Sequence, residues 1–234
     1  MKFIIYNYID IDSFDYSRSS TDVSHFIKNP SFELGLDGWN NDGFQTQGNN
    51  AFTLKSGSTY IEKWVSTGNQ VGDAYVYQTL AELPMGVYIL KVAAQNIQEN
   101  SSSIQQNAWL FANNTQLTVT QRADYELVFT NIETQPVVGF MAEAATGNWL
   151  AADNFRLYYA GGEESDYTAE LQRYIDKAQP YTEEKMQNSV AQALASAISA
   201  GQTALDAGDV TAYPAVATPL RTVLDDVKTS IKAY

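Results

Sequence analysis

The stretch "YVYQTLAELPMGVYILKVAAQ", residues 75–95, holds two apolar and aromatic runs separated by Pro84 and Gly86. In the first run Tyr75 and Tyr77 alternate with Val76. That period of two is the signature of a half-buried strand. Proline and glycine together punctuate a chain, so "LPMGVY" predicts a hairpin turn between two strands. The same texture continues in "YELVFTNIE" (125–133), "PVVGFMAEA" (136–144) and "NWLAADNFRLYY" (148–159). Many short strands bounded by turn residues predict an antiparallel sandwich or barrel.

The texture changes near residue 160. All four tryptophans, Trp39, Trp64, Trp109 and Trp149, lie before it. "AGGEESD" (160–166) is glycine-rich and then acidic, as linkers are, and alanine dominates beyond it. Met186, Val190, Leu194, Ile198 and Leu205 fall close to one helical face, with Thr182 as the expected N-cap and Gly208 as the stop. Leu171, Ile175 and Ala178 predict a shorter helix ended by Pro180. Val216, Leu220, Val223, Val227 and Ile231 predict a third, capped by Thr211 and kinked or delayed by Pro219. Three amphipathic helices with short loops make an antiparallel bundle. The expected layout is therefore a leading strand over 1–20, a β-sandwich over 21–160, a linker over 161–167 and a three-helix bundle over 168–234.

The chain has 234 residues and a formal charge of −13. Nucleic acid and anionic membrane surfaces need a basic partner, so both are disfavoured. Neutral ligands and hard cations stay open. With no cysteine, disulfides, thiol nucleophiles and Fe–S clusters are excluded. One histidine, His25, rules out a multi-histidine zinc site. No apolar run is long enough to span a bilayer. The motifs of serine hydrolases, zinc proteases and nucleotide-binding loops are absent. A glycosidase needs two carboxylates across one cleft. Glu62, Asp73, Asp124, Glu126 and Glu143 are the acids available for that, and nothing in their spacing pairs any two. The expectation is that the chain is not an enzyme.

The aromatics point elsewhere. A sugar ring stacks its C–H faces on flat side chains and offers its hydroxyls to neighbouring amides and carboxylates. Trp64 sits in "YIEKWVSTGNQ" beside Glu62, Asn69 and Gln70, and Trp109 in "QQNAWLFANN" has similar polar company. Tyr75 and Tyr77 share one sheet face. These seven residues are the candidate ligand contacts. Each tryptophan has an alternative reading as core or edge packing, which is the stronger reading for Trp39 after its "LDG" turn and for Trp109 and Trp149, and weighs equally for Trp64.

"HFIKNPSFELGLDGWN" (25–40), followed in order by "YIEKWV", the stretch quoted first and "WLAADNFRLYY", resembles a family of β-jelly-roll carbohydrate-binding modules. These have a galactose-binding-like sandwich and are attached to secreted bacterial glycanases. The resemblance covers roughly residues 22–159. It implies binding of a polysaccharide or oligosaccharide, a secreted or cell-surface location, and other modules in the same polypeptide. It also implies a structural calcium tying the first strand to the last, with Glu33 of "SFE" and Asp153 of "ADNF" as ligands. The helical part resembles the small three-helix spacer modules of such proteins. "YNYIDIDSFDYS" (6–17) in turn resembles the closing strand "GNWLAADNFRLYY", as the remnant of a preceding module would. The alternative to glycan binding is a structural spacer or protein-interaction segment.

Overall fold

The computed structural model describes residues 20–233. The leading strand expected before residue 20 lies outside them. The chain divides into two compact units. The first comprises residues up to 80, 88–129 and 137–160.

Its strands are β1 (Thr21–Asp22), β2 (Asn40–Asp42), β3 (Gln45–Gln47), β4 (Tyr60–Trp64), β5 (Gly72–Thr79), β6 (Gly86–Ile97), β7 (Ala108–Ala112), β8 (Thr115–Thr118), β9 (Ala123–Asn131), β10 (Val137–Ala145) and β11 (Trp149–Tyr159). One sheet runs β3-β4-β11-β6-β9, with β1 added on β11. The other runs β2-β5-β10-β7-β8. The registers recorded are antiparallel throughout. The chain is thus an antiparallel β-sandwich followed by helices, as the sequence predicts. Alternation explains the core. Ile61, Ala94, Leu150 and Ala152 of the first sheet, and Ala74, Val76, Leu110 and Phe140 of the second, are all buried. Trp39 is buried too, 4.8 Å from the Phe155 ring and 5.0 Å from Phe32.

The hairpin expected at "LPMGVY" does not form. Strands β5 and β6 lie in different sheets, so the segment between them is a crossover. Pro84 and Gly86 mark a turn correctly, but local chemistry does not say which sheet the next strand joins. A true hairpin turn lies at Asn113, with φ +49°, between β7 and β8. Asparagine tolerates that left-handed conformation.

The second unit is discontinuous: residues 81–87, 130–136 and 161–234. Its helices are α1 (Glu164–Ala178), α2 (Asn188–Ala207) and α3 (Tyr213–Lys232). Helix α1 starts inside the segment read as linker, because Glu163 and Asp166 form a reciprocal capping box. Thr182 does not cap α2; it lies in a 3-10 turn, where its hydroxyl donates to the Gln179 carbonyl at 2.8 Å. Gly208 ends α2 with φ +66°, the left-handed stop. Asp209 rather than Thr211 accepts the backbone N–H ahead of α3, at 3.0 Å. Helix α3 already begins at Tyr213, so Pro219 sits inside it without delaying it.

The core of this unit gathers Leu171, Tyr174, Ile175, Leu194, Leu220, Leu224 and Val227 around Ile132 of the 130–136 segment. Next to Ile132, Glu133 is fully buried. It accepts from Arg221 Nε at 2.8 and 3.0 Å and from the Tyr174 hydroxyl at 2.7 Å. Burial, with that carboxylate adding to it, pushes the Tyr174 hydroxyl well above its ordinary range, and the same charge raises Arg221 against the cost of its own burial.

Candidate functional site

The outward face of the second sheet collects aromatic side chains in two rows. Strand β5 buries Ala74, Val76 and Gln78 and turns Asp73, Tyr75 and Tyr77 outward. Across the sheet Tyr75 pairs with Met141 of β10, which pairs with Trp109 of β7. One row further, Tyr77 pairs with Gly139, which pairs with Phe111. The first row ends on Asp42 and Thr118, the second on Asn40 and Gln116. Strand spacing and rise make this a platform of about 10 by 7 Å, about the breadth of a sugar ring with its substituents.

Packing holds the platform. The Tyr75 and Tyr77 rings are 5.9 Å apart, and Gln116 Nε2 lies 3.6 Å from Met141 Sδ. A Cβ on Gly139 would stand 2.3 Å from the Val76 carbonyl oxygen and 2.7 Å from the Phe111 ring. Only glycine lets that ring lie down on the strand. Tyr75 is 44% exposed, and Tyr77, Trp109, Phe111 and Met141 are half-buried. This is a wet aromatic surface rather than a core.

A bulge ends the platform on one side. The register of β10 shifts between Ala142 and Ala145, and Ala144 adopts φ +51°. The Ala144 N–H donates to Asp73 Oδ1 at 2.6 Å, and the Glu143 N–H donates to the Asn107 carbonyl at 3.1 Å. Bulges re-aim side chains in this way; here they set two carboxylates beside the Tyr75 row.

The residues around Trp64 lie on the other sheet. Trp64 is 49% exposed at the end of β4, and its Nε1 donates to Glu99 Oε2 at 2.8 Å. That bond and one from Asn148 hold the Glu99 carboxyl below the usual carboxylate range. Glu62, expected to meet ligand, is buried instead. It accepts from Trp149 Nε1 at 2.9 Å, from the Tyr60 hydroxyl at 3.2 Å and from Gln47 at 3.2 Å. Its neighbours Phe52, Tyr60, Trp149 and Ala151 form a small core of their own. Arg122 lies 5.3 Å over the Trp149 ring. Asn69 closes a turn onto the Ser66 carbonyl, and Gln70 is exposed in the same loop. The expected contacts therefore divide: Tyr75, Tyr77 and Trp109 come together, while Trp64, Asn69 and Gln70 lie apart from them. Phe111 and Met141 were missed, although alternation in "AWLFA" and "VVGFMA" places both outward.

The two carboxylates expected to hold calcium converge on one loop. Asp153 of β11 is fully buried and accepts the N–H groups of Ser56 at 2.5 Å and Asn154 at 2.7 Å. Glu33 Oε1 accepts those of Ser58 at 2.8 Å and Thr59 at 2.9 Å. Between them Gly57 has no room for a side chain: a Cβ would be 2.6 Å from Glu33 Oε1. Burial, with the Glu33 charge adding to it, pushes the Asp153 carboxyl up to about 7. The backbone donors do the reverse for Glu33, which is held below its ordinary range. Lys55 is the nearest base and donates to the carbonyls of Gly48 and Ser58. Both carboxylates already accept backbone N–H groups, so a hard cation here would have to share their remaining lone pairs. Among the described residues no cluster of three acidic, histidine or cysteine side chains exists, so carbonyls or water would complete its shell.

Other acids have partners. Asp124 pairs with Arg156 at 3.2 Å and Glu126 with Lys91 at 2.5 Å. In the second unit an open groove is lined by Ala195, Ser199, Ala200, Thr203, Ala207 and Val216, with no charged or aromatic side chain. Among the described residues, no helix is long and apolar enough to cross a membrane.

No protein-family model matches the chain, and no curated protein matches it. Solved structures do resemble it. The family 35 carbohydrate binding module from Clostridium thermocellum is 13% identical, with 59% of this chain matched to 97% of that one at a TM-score of 0.38. An apo-form cyclase from Fischerella sp. is 17% identical, with 63% of this chain matched to 100% of that one at 0.39. The enzymatically active domain of bacteriophage CBA120 tailspike protein 4 is 15% identical at 0.39, and the match spans 56% of this chain but only 21% of the tailspike chain.

Proposed function

We propose that this chain is a non-catalytic glycan-binding module, and that its platform is the outward face of the second sheet. The observation that carries this is the double row of Tyr75, Met141, Trp109 and Tyr77, Gly139, Phe111, open to solvent and rimmed by amides, hydroxyls and carboxylates. Sugar rings need that combination: flat apolar surface for C–H stacking and polar groups at its edge. Of the five acids weighed for a hydrolytic pair, Glu62 is enclosed and Asp124 and Glu126 are ion-paired, while Asp73 and Glu143 lie exposed at the edge of the platform. In this reading the sandwich keeps a larger secreted or surface glycan-degrading protein near its substrate. A calcium ion held by Glu33 and Asp153 steadies the 56–59 loop.

Affinity electrophoresis through gels loaded with polysaccharides tests the reading. The intact chain is expected to be retarded by at least one of them, and Tyr75→Ala and Trp109→Ala are expected to migrate freely while keeping their circular dichroism. Retardation that survives both substitutions and vanishes in Trp64→Ala would move the site to the first sheet. No retardation on a broad panel would leave a spacer or protein-interaction segment.

A further inference from the structure

We propose that the glycan taken by this face carries free amino groups. The inference rests on the glycan-binding reading and narrows its ligand. The ionisable side chains at the outward positions of β2, β5 and β10 beside the platform are carboxylates: Asp42, Asp73 and Glu143, all exposed. Asp42 ends the Tyr75 row, and Asp73 and Glu143 lie at the bulge just beyond it. The three therefore flank the Tyr75 corner of the aromatic surface, Asp42 from the β2 edge and Asp73 and Glu143 from along the strands. Lys63 of β4 also reaches this corner, where its ammonium donates to the Asp73 carbonyl oxygen at 2.6 Å.

An ammonium placed over an aromatic face is attracted by the ring quadrupole, and a carboxylate at the ring's edge adds to that attraction. The same carboxylates repel uronate or sulfate groups, and the chain's charge of −13 extends that repulsion. A stacked glucosamine-type residue, with its ring on Tyr75 and its amine toward Asp42 or Asp73, satisfies both features. A neutral sugar uses the rings and the hydrogen bonds of the rim but gains nothing from its charge.

The test is a calorimetric titration of the intact chain with three oligosaccharides of equal length: a glucosamine oligomer, its fully N-acetylated counterpart and an oligogalacturonate. Mildly acidic pH keeps the amines protonated. The glucosamine oligomer is expected to bind about fivefold tighter than the acetylated one at low salt, since exposed ion pairs are individually weak. Salt is expected to shrink that ratio. Asp42→Asn and Glu143→Gln should reduce that ratio, lowering the affinity for the glucosamine oligomer more than that for the acetylated one. Equal affinities, or a preference for the uronate, would overturn the inference. If binding is nonetheless lost in Tyr75→Ala, the glycan reading stands. If none of the three binds and the gel panel is also blank, both fall.

Discussion

Asp153 offers the sharpest prediction, because its environment and its chemistry disagree. It is fully buried, receives two backbone N–H bonds, and shares its neighbourhood with Glu33. Lifting its carboxyl from 3.8 to about 7 makes the ionised form costlier in the folded state than in the unfolded one. The folded state then binds the extra proton. Stability from this group is complete below about pH 4 and declines as pH rises through about 7. The difference converts to roughly 4 kcal/mol as an upper figure, and to less if water reaches the loop. Exposed carboxylates held low, such as Glu33, Asp22 and Asp209, run the other way and lose their contribution as pH falls. The measurement must therefore be a difference. Urea denaturation of the native chain and of Asp153→Asn, in chelator, should diverge between pH 4.5 and 8, with the native chain losing ground as pH rises. Saturating calcium should close the gap for the native chain above pH 7 and leave the variant unmoved. Parallel curves in chelator would refute the electrostatic argument. Divergence without a calcium response would retain that argument and remove the ion.

Gly139→Ala should cost about 1–3 kcal/mol in chemical denaturation, because the new Cβ meets the Val76 carbonyl and the Phe111 ring. It should also weaken glycan retardation by displacing that ring. Removing Glu133 as Glu133→Ala should destabilise the helices by about 3–5 kcal/mol, since Arg221 and Tyr174 lose their shared acceptor. Thermal melting followed by circular dichroism reads this. Glu133→Gln should cost less, because the amide oxygen still accepts, and in an Arg221→Met background the alanine change should cost less than in the native chain.

Strands and helices were legible because their periods are local. Tyr75 and Tyr77 announced a shared face without any knowledge of the sheet. Which strand lies beside which was not legible, and the site depends on it. Met141 and Phe111 become partners of Tyr75 and Tyr77 only once β10 separates β5 from β7, a pairing set across about 65 and 30 residues of chain. The same blindness turned "LPMGVY" into a hairpin. Trp64 and Glu62 were read together because they are neighbours in sequence, yet one is exposed and the other lies under Trp149 and Tyr60. The Glu33–Asp153 pair is the opposite case. The two residues stand 120 positions apart, and only the family resemblance joined them before the 56–59 loop did.

The discontinuous second unit has a consequence for how this chain must be born. Residues 81–87 and 130–136 leave the ribosome well before the helices that cover Ile132 and Glu133. Until α3 has been made, the Glu133 carboxylate lacks Arg221 and Ile132 lacks Leu220, Leu224 and Val227 of its core. Folding of this unit therefore waits on its last helix even though most of the strands are complete earlier. A cut near residue 160 would also break it, because it would part the helices from two of the three segments that make their core. Heredity faces the same restriction: a sandwich and a bundle joined only by a linker can be exchanged as cassettes, whereas this pair can be passed on only together.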